Sequence, residues 1–513
     1  MQKTSLVCSK FSGLNRTASV FSSSVVTASD IQNVELYSTG INSGVGIRVS
    51  AGNRSVCNSI PEGETVVNIF ESIQSSVTYF FVHTESATEG KIYLLNPETG
   101  ALTLKVSGLS LTGKSCAVDV SQGWSDLWVF SNSEEMLTIE IGKTDANNEP
   151  DEITMMSLSD MEGRTVKGMG LAIFAGRLWV FDKNILWYSV QEDIYDFETS
   201  DAEIVTSSGY IEFVKNITAI YPYLGTLAVF HRDSSCLIVK DDESGSFSKS
   251  FDSPGGCAGN EACVFHGTEL YFYDDVKKGV FSFRQVVNGD KTLGENIALD
   301  IQEELLTIKS SAADKVKILS VVTSDRNEVW FLIPDDNSGF STIMIYDYIR
   351  RTWVKRKSQK INSFRVIGGK LYSAGEKVYA EYETILFDGE FIEAFYKCAP
   401  LNLGVENSLK ILAYPPKITM DMYCGNDFYV EYTKDYNSMT FKKRRVKSKT
   451  LKEVLYFDKG NWDVNIYPYD KIYAIKRLPS SYFKTLQISF CTGISGQSFC
   501  ISNIEFGKIK VKI

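Results

Sequence analysis

A hairpin recurs through the first three quarters of this chain, and its spacing restricts the fold more than any other feature. Each copy is a short apolar-aromatic strand, a polar turn and a second strand, the sequence form of an antiparallel pair. The series reads VTYFFV with KIYLL, DLWVF with MLTIEI, GRLWVF with ILWYSV, GTLAVF with CLIVK, TELYFY with GVFSF, EVWFLI with TIMIYDY, and GKLYS with KVYAEY. Taking Tyr79, Trp128, Trp179, Ala228, Phe272, Trp330 and Tyr372 as equivalent positions gives separations of 49, 51, 49, 44, 58 and 42 residues. Strands repeating every 40 to 50 residues without intervening helices predict a β-propeller, one four-stranded blade per repeat. Six or seven blades fit. One small twisted sheet cannot cover both its faces, whereas radially packed blades cover each other, so the aromatic residues are expected between blades.

Around Phe387 the repeat stops. The remaining segment carries longer alternating strands: LKILAY, KITMDMY, DFYVEYT, EVLYF, DKIYAIKRL, KTLQISF and FCISNIEFGKIKVKI. Such a series describes a β-sandwich. The expected fold class is therefore all-β, a propeller followed by a C-terminal β-sandwich. The expected domains are residues 1–52, an arm of strands that closes the propeller; residues 53–386, the propeller; and residues 387–513, the sandwich. The one stretch with a helical stripe is Leu299 to Ala312, carrying Ile301, Leu305, Leu306 and Ile308, and it is expected to link two blades.

Charge divides the chain in the same place. From Phe391 onward there are 19 Lys/Arg against 11 Asp/Glu, a net of +8, which leaves 34 against 52, a net of −18, before it. An acidic body of this kind is a poor general nucleic-acid binder, and a basic tail can be drawn onto an acidic neighbour. The ten cysteines include no C-x-x-C and no His partner at zinc spacing, so reduced, buried thiols are expected. Cys257 with Cys263 and Cys491 with Cys500 are near enough in sequence to pair, but spacing alone establishes no bridge. The opening residues lack a basic segment followed by an apolar core, and no apolar run approaches the ~20 residues of a membrane span. A soluble protein without a secretory signal is the expectation.

Catalytic patterns are sparse. His83, His231 and His266, the three histidines, each lie in or beside a predicted strand, where packing is the expected role. His231-Arg232-Asp233-Ser234 contains the letters of a triad, but consecutive turn residues cannot hold triad geometry among themselves. No phosphate-binding loop or nucleophile elbow is present, and Gly44 to Gly52 reads as a turn. Pro334 to Gly339 reads as a hairpin tip rather than a calcium loop, because the alternating ligand spacing is missing. Glu192, Asp193, Asp196 and Glu198, and Asp241, Asp242 and Glu243, are the acidic clusters to weigh against a glycosidase pair, and read as solvated loop charges. No catalytic residue, metal ligand or cofactor-binding residue is assigned. The sharpest polar feature is KKRRVKSK, Lys442 to Lys449, between two predicted strands. It lacks the interleaved aromatics of a single-strand platform, so Lys442, Lys443, Arg444 and Arg445 are read as a solvated hairpin or a subunit or ring contact.

Three stretches resemble, in order, a known family. The opening SGLNRTASVFSSS followed by IQNVELYSTGINSGVGIRVSAG resembles the start of many phage tail proteins. GRLWVFDKNILWYSVQEDIYDFETSDAEIV and then YLGTLAVFHRDSSCLIVK are similar to matching blades of the tail nozzle, or tail-hub, proteins of short-tailed bacteriophages, also described as packaged-DNA stabilisation proteins. YAIKRLPSSYFKTLQISFCTGISGQSFCISNIEF is similar to the last strands of that family's C-terminal domain. The resemblance implies a structural virion protein, assembled in the host bacterial cytoplasm, forming a homohexameric ring in the tail. Its partners would be an adaptor ring, tail fibres or a needle, and genomic DNA passing through the ring without sequence recognition. It would close the DNA channel, retain the packaged genome and pass it during ejection, and the family supplies no catalytic residue. The alternative classes are a glycan-binding or glycan-cleaving propeller and a scaffold that uses its propeller face for protein partners.

Overall fold

The structure, a computed structural model, describes residues 3–16, 25–39, 44–57, 60–74, 77–122, 125–144, 149–199, 206–241, 244–285, 291–334, 339–403, 408–420, 428–435, 442–446, 472–475, 482–493 and 498–512. These residues are almost entirely strands and form two compact units: residues 55–341 with 359–381, and residues 1–54 with 342–358 and 382–513. We call them the blade unit and the woven unit.

The blade unit is the propeller. Blade 1 consists of Thr65–Gln74, Val77–Glu85, Gly90–Leu95 and Leu102–Leu109; blade 2 of Cys116–Gln122, Ser125–Ser131, Met136–Thr144 and Pro150–Met156. Blade 3 is Gly170–Phe174, Arg177–Asp182, Ile185–Tyr188 and Gly209–Glu212; blade 4 is Ile217–Tyr223, Thr226–His231, Ser235–Lys240 and Phe247–Ser253. Blade 5 is Cys263–His266, Glu269–Asp274, Gly279–Gln285 and Lys291–Leu293. The pair Lys317–Val322 and Asn327–Ile333 takes the sixth place, and the last blade contains Ile361–Ile367, Lys370–Gly375 and Val378–Glu381. The first strands of these seven groups neighbour one another in chain order, and the seventh lies against the first. Six of the seven hairpins read from the sequence supply the middle strands of their blades; of the seventh, EVWFLI stands in the sixth place while TIMIYDY falls within residues 342–358 of the woven unit.

Local chemistry explains the entry to several blades. Ala175-Gly176, Leu224-Gly225 and Gly368-Gly369 each join two strands through two residues of positive φ, 52° and 69°, 43° and 72°, and 56° and 75°. This is the turn whose twist matches that of the flanking strands, and glycine at its second position carries the left-handed conformation without strain. Packing then runs between blades, as expected. One core joins Phe70, Phe81 and Leu94 of blade 1 to Trp128, Phe130 and Ile139 of blade 2, with Phe81 stacked on Trp128 at 4.2 Å. Another joins Trp179 and Leu186 of blade 3 to Ile220, Val229 and Ile238 of blade 4. A third joins Ile69, Phe80 and Tyr93 to Tyr372, Val378 and Ala380, so the last blade seals against the first.

The woven unit contains strands from three separated parts of the chain. Its 13-residue strand Cys500–Lys512 pairs with Lys3–Cys8, Leu409–Leu412, Lys417–Met420 and Val45–Val49. A second series runs from Val25–Gln32 through Phe395–Cys398 and Leu486–Cys491 to Phe428–Lys434 and Lys442–Val446. The rings of Phe428, Phe490 and Phe499 meet within the core of this sandwich. The compact units divide at 54/55 and 381/382, and the woven unit takes in a further inserted segment. Residues 342–358 join the woven unit, where Asn33 N–H donates to Lys355 O at 2.9 Å and Gly13 N–H to Thr352 Oγ1 at 3.0 Å. A side chain at Gly13 would lie 2.1 Å from Trp353 O, so the strands approach closely only because this residue is glycine.

The expected helix is also corrected. Leu299–Ile301 and Ser310–Lys315 are 3-10 turns flanking a five-residue helix, Gln302–Leu306. Ile301, Leu305 and Ile308 are buried while Leu306 is 62% exposed, so the apolar stripe is too short to hold a longer helix, and Lys309 is already extended. The nine described cysteines are free thiols, including Cys257, Cys263, Cys491 and Cys500, and Cys424 lies outside the described residues.

Candidate functional site

The axis of the blade unit is where propeller side chains converge, and here it is crossed by a polar bar. Glu261, on the segment entering blade 5, accepts from Asn68 Nδ2 of blade 1 at 2.7 Å and pairs through its other oxygen with Lys317 Nζ at 2.7 Å. Lys317 also donates to Val67 O at 3.3 Å, and Ile318 N–H donates to Glu261 O at 2.8 Å. Asn68 donates to Ser115 O at 3.0 Å and accepts from Ser363 Oγ at 2.5 Å. Ser115 Oγ in turn meets His83 Nδ1 at 2.9 Å. Groups from five of the seven radial places thus satisfy one another, which makes the network rigid in a low-dielectric interior.

Cavities lie on either side of the bar. One, of ≈ 360 Å³, is lined by Asp119, Ile173, Tyr221, Cys263, Leu319 and Arg365 of the inner strands. The other, of ≈ 490 Å³, is lined toward their starts by Glu85, Lys114, Asp314, Lys315, Lys360 and Asn362. Charges here are largely matched: Lys114 pairs with Asp314 at 2.6 Å, and Glu85 accepts from Thr112 N–H and Gly113 N–H at 2.9 and 2.8 Å.

The histidines are placed as packed strand residues. His83 is fully buried, and burial, aided by Lys317, pushes its pKa down to about 3, so it is a neutral ring at physiological pH. His266 Nδ1 meets Ser320 Oγ at 2.8 Å, joining blade 5 to the next strand pair, and burial lowers its pKa. His231 Nδ1 meets Asn216 O at 3.0 Å, and burial lowers its pKa as well.

The acidic cluster after ILWYSV builds turns. Asp193 Oδ1 accepts from Tyr195 N–H at 2.9 Å; Asp196 Oδ1 accepts from Glu198 N–H and Thr199 N–H, both at 2.9 Å; Glu198 accepts from Ser159 Oγ. Burial alone would raise the pKa of Asp196, but the bonds from Thr199 and Glu198 outweigh it and hold the carboxyl below the usual range. Such turn-capping carboxylates are not a converging acid pair. Asp241 accepts from Ser244 N–H at 2.8 Å, while Asp242, Glu243 and the hairpin tip 335–338 lie outside the described residues.

The basic cluster is not a turn between strands. Lys442–Val446 is itself a strand, paired with Phe428–Lys434 so that Val446 faces Phe428 and Arg444 faces Val430. Val446 is buried and Arg444 and Arg445 are exposed, so one apolar residue docks the strand. The side chains of Lys442 and Lys443, and residues 447–449, lie outside the described residues.

Sequence reasoning passed over two arginines. Arg177, 1% exposed, donates to Ser189 O and Ser207 O, both at 2.6 Å, and lies over the rings of Tyr188 and Phe247. Arg356, also 1% exposed, donates to Ser50 Oγ at 2.9 Å and Ala51 O at 2.7 Å, with its guanidinium 4.7 Å from both Tyr382 and Phe387. Arg177 stands in the apolar run GRLWVF, and a charge at the mouth of an otherwise buried strand was the available signal. Among the described residues no group of three or more His, Cys, Asp or Glu is arranged to hold a metal ion, and no helix is long and apolar enough to cross a membrane.

No protein-family model and no curated protein matches the chain. Solved structures similar to it include the computationally designed Ika8 protein, at 12% identity over 64% of this chain and 99% of that one, with a TM-score of 0.34. A protein assigned by name to the 6-phosphogluconolactonases, from Bacteroides fragilis NCTC 9343, aligns at 11% identity over 63% and 92%, with a TM-score of 0.37. A protein from Lactobacillus plantarum aligns at 10% identity over 63% and 94%, with a TM-score of 0.38. Likeness at this level bears on no activity; the chain is a β-propeller joined to a β-sandwich.

Proposed function

We propose that this protein is a non-enzymatic subunit of a homohexameric ring in the tail of a short-tailed bacteriophage, a nozzle that retains the packaged genome and passes it during ejection. The reading begins from the ordered sequence resemblance along the chain. The structural observation that supports it best is the weaving of the second unit. Lys3–Cys8 lies antiparallel along Cys500–Lys512, with Lys3 opposite Lys510 and Cys8 opposite Ile504, and residues 342–358 enter the same unit. Pulling the chain out of this unit requires several ladder bonds to break together, which suits a body that holds back a compressed genome. The bar across the propeller axis supports a DNA path in the lumen of a ring of subunits rather than within one chain. An adaptor ring above and fibres or a needle below are the expected neighbours.

Native mass spectrometry of the purified protein, with immunodetection on purified virus particles, tests the reading. Six-subunit assemblies and label at the tail are expected. A monomer at every concentration, together with absence from particles, would sink it.

A further inference from the structure

The end of strand Cys500–Lys512 presents a face that the tail reading does not use. Up to Phe506 the strand alternates with Ile504 and Phe506 buried; after Gly507 the buried position is Ile509. The register against Lys3–Cys8 shifts here, between Thr4 and Leu6. The shift leaves Lys508, Lys510 and Lys512 all exposed on one face. At a strand rise of ~3.4 Å per residue these lysines stand about 7 Å apart.

Tyrosines flank the row at both ends. Ala413 N–H donates to Lys508 O at 3.0 Å, which sets Tyr414 beside Lys508, its ring centroid 5.8 Å from Nζ. Leu409 pairs with Lys512, and Lys410 bridges to Phe483, which sets Tyr482 beside Lys512 at 5.6 Å. Both rings stay open to solvent, Tyr414 at 56% and Tyr482 at 47%. Among the described residues no carboxylate pairs with the three lysines, and the strand's one acid on this face, Glu505, precedes the shift.

We infer that this face binds single-stranded nucleic acid. A row of exposed ammonium groups at regular spacing fits a polyanion, and half-exposed rings at both ends of that row offer stacking platforms that accept any base. The face belongs to the part of the chain with net charge +8, which favours encounter with a polyanion. The inference does not depend on the tail assignment.

Fluorescence anisotropy of a labelled oligothymidylate with the full-length protein tests it. Three phosphate contacts predict that a fourfold rise in salt weakens binding about 20-fold. Tyr414→Ala and Tyr482→Ala should each weaken binding roughly 5- to 100-fold with the salt dependence unchanged, while the Phe variants bind as the parent. Lys508→Gln with Lys510→Gln and Lys512→Gln should abolish both binding and salt dependence, and Arg444→Gln with Arg445→Gln should change neither. Unchanged melting curves identify variants that fold. Failure to bind at low salt overturns the inference. So does binding that is indifferent to the tyrosines, or displaced equally well by heparin, since an unspecific cationic surface would behave that way.

Discussion

Among the described residues each compact unit buries an arginine against polar oxygens, and the two reach their partners over very different stretches of chain. Arg177 of the blade unit bonds to Ser189, Thr206 and Ser207, 12, 29 and 30 residues away. Arg356 of the woven unit bonds to Ser50 and Ala51, 306 and 305 residues away. The chemistry is similar, a guanidinium beside aromatic rings whose N–H groups satisfy buried oxygens, carbonyls for Arg177 and the Ser50 hydroxyl and Ala51 carbonyl for Arg356. What differs is the loop that must close first. A blade can assemble from one continuous stretch, whereas the woven unit waits for three parts of the chain to meet.

The largest effects that test this contrast come from the aromatic cores. Trp179→Ala empties a site packed by Phe174, Tyr188 and Phe247, and Phe490→Ala a site packed by Phe428 and Phe499. Each should cost about 3–5 kcal/mol. Hydrogen exchange should show Trp179→Ala opening blades 3 and 4 and Phe490→Ala opening only the woven unit. If either variant unprotects both units alike, they are one cooperative body and the contrast fails.

Smaller in size but sharper in meaning are the arginine variants. Arg177→Met and Arg356→Met should each cost about 2–3 kcal/mol, because carbonyls lose their donor inside the core. Their kinetics should differ: loss of the local bonds slows refolding, and loss of the distant ones speeds unfolding. Stopped-flow refolding and unfolding rates decide the matter, and equal partition in both variants would remove the inferred order of assembly.

The blade unit should also carry its own pH dependence. The folded pKa of His83, about 3, lies below the ordinary value of 6.5, so between these values the unfolded chain holds a proton that the native protein does not. Its contribution is fully present above pH 6.5 and is lost as pH falls toward 3, at about 1.4 kcal/mol per pH unit. Denaturation midpoints of the parent and His83→Gln across this range should converge at acid pH; parallel curves would show that His83 takes up its proton while folded.

The smallest expected effect is at the basic strand. Arg444→Glu with Arg445→Glu should change the stability of the woven unit by less than about 1 kcal/mol, since both side chains are exposed. If these arginines contact a neighbouring subunit or ring, the same change should slow assembly in a salt-dependent way. Normal assembly at all salt concentrations, followed by light scattering, would leave them as solvated charges.

Much of the blade unit was legible because its information is local. Alternation over six residues, a turn such as Ala175-Gly176 and an aromatic every 40 to 60 residues are visible in short windows. The role of the histidines followed from the same windows. The basic cluster was misplaced by one step: a strand of charges, Lys442–Val446, lacks the apolar alternation that marks a strand, and only its pairing with Phe428–Lys434 reveals it.

The sequence by itself determined most of the blade strands, that seven hairpins repeat, and that the later part of the chain forms a sandwich. Those properties depend on neighbours two residues apart and on turns of two. Tertiary structure alone decided which strands share a unit: that 342–358 leave the propeller, that Lys3–Cys8 lies along Cys500–Lys512, and that Glu261 bridges Asn68 to Lys317 across the axis. A strand's open edge and a carboxylate's open lone pairs accept many partners equally well. The choice among them is made by surfaces that exist only once the rest of the chain has folded.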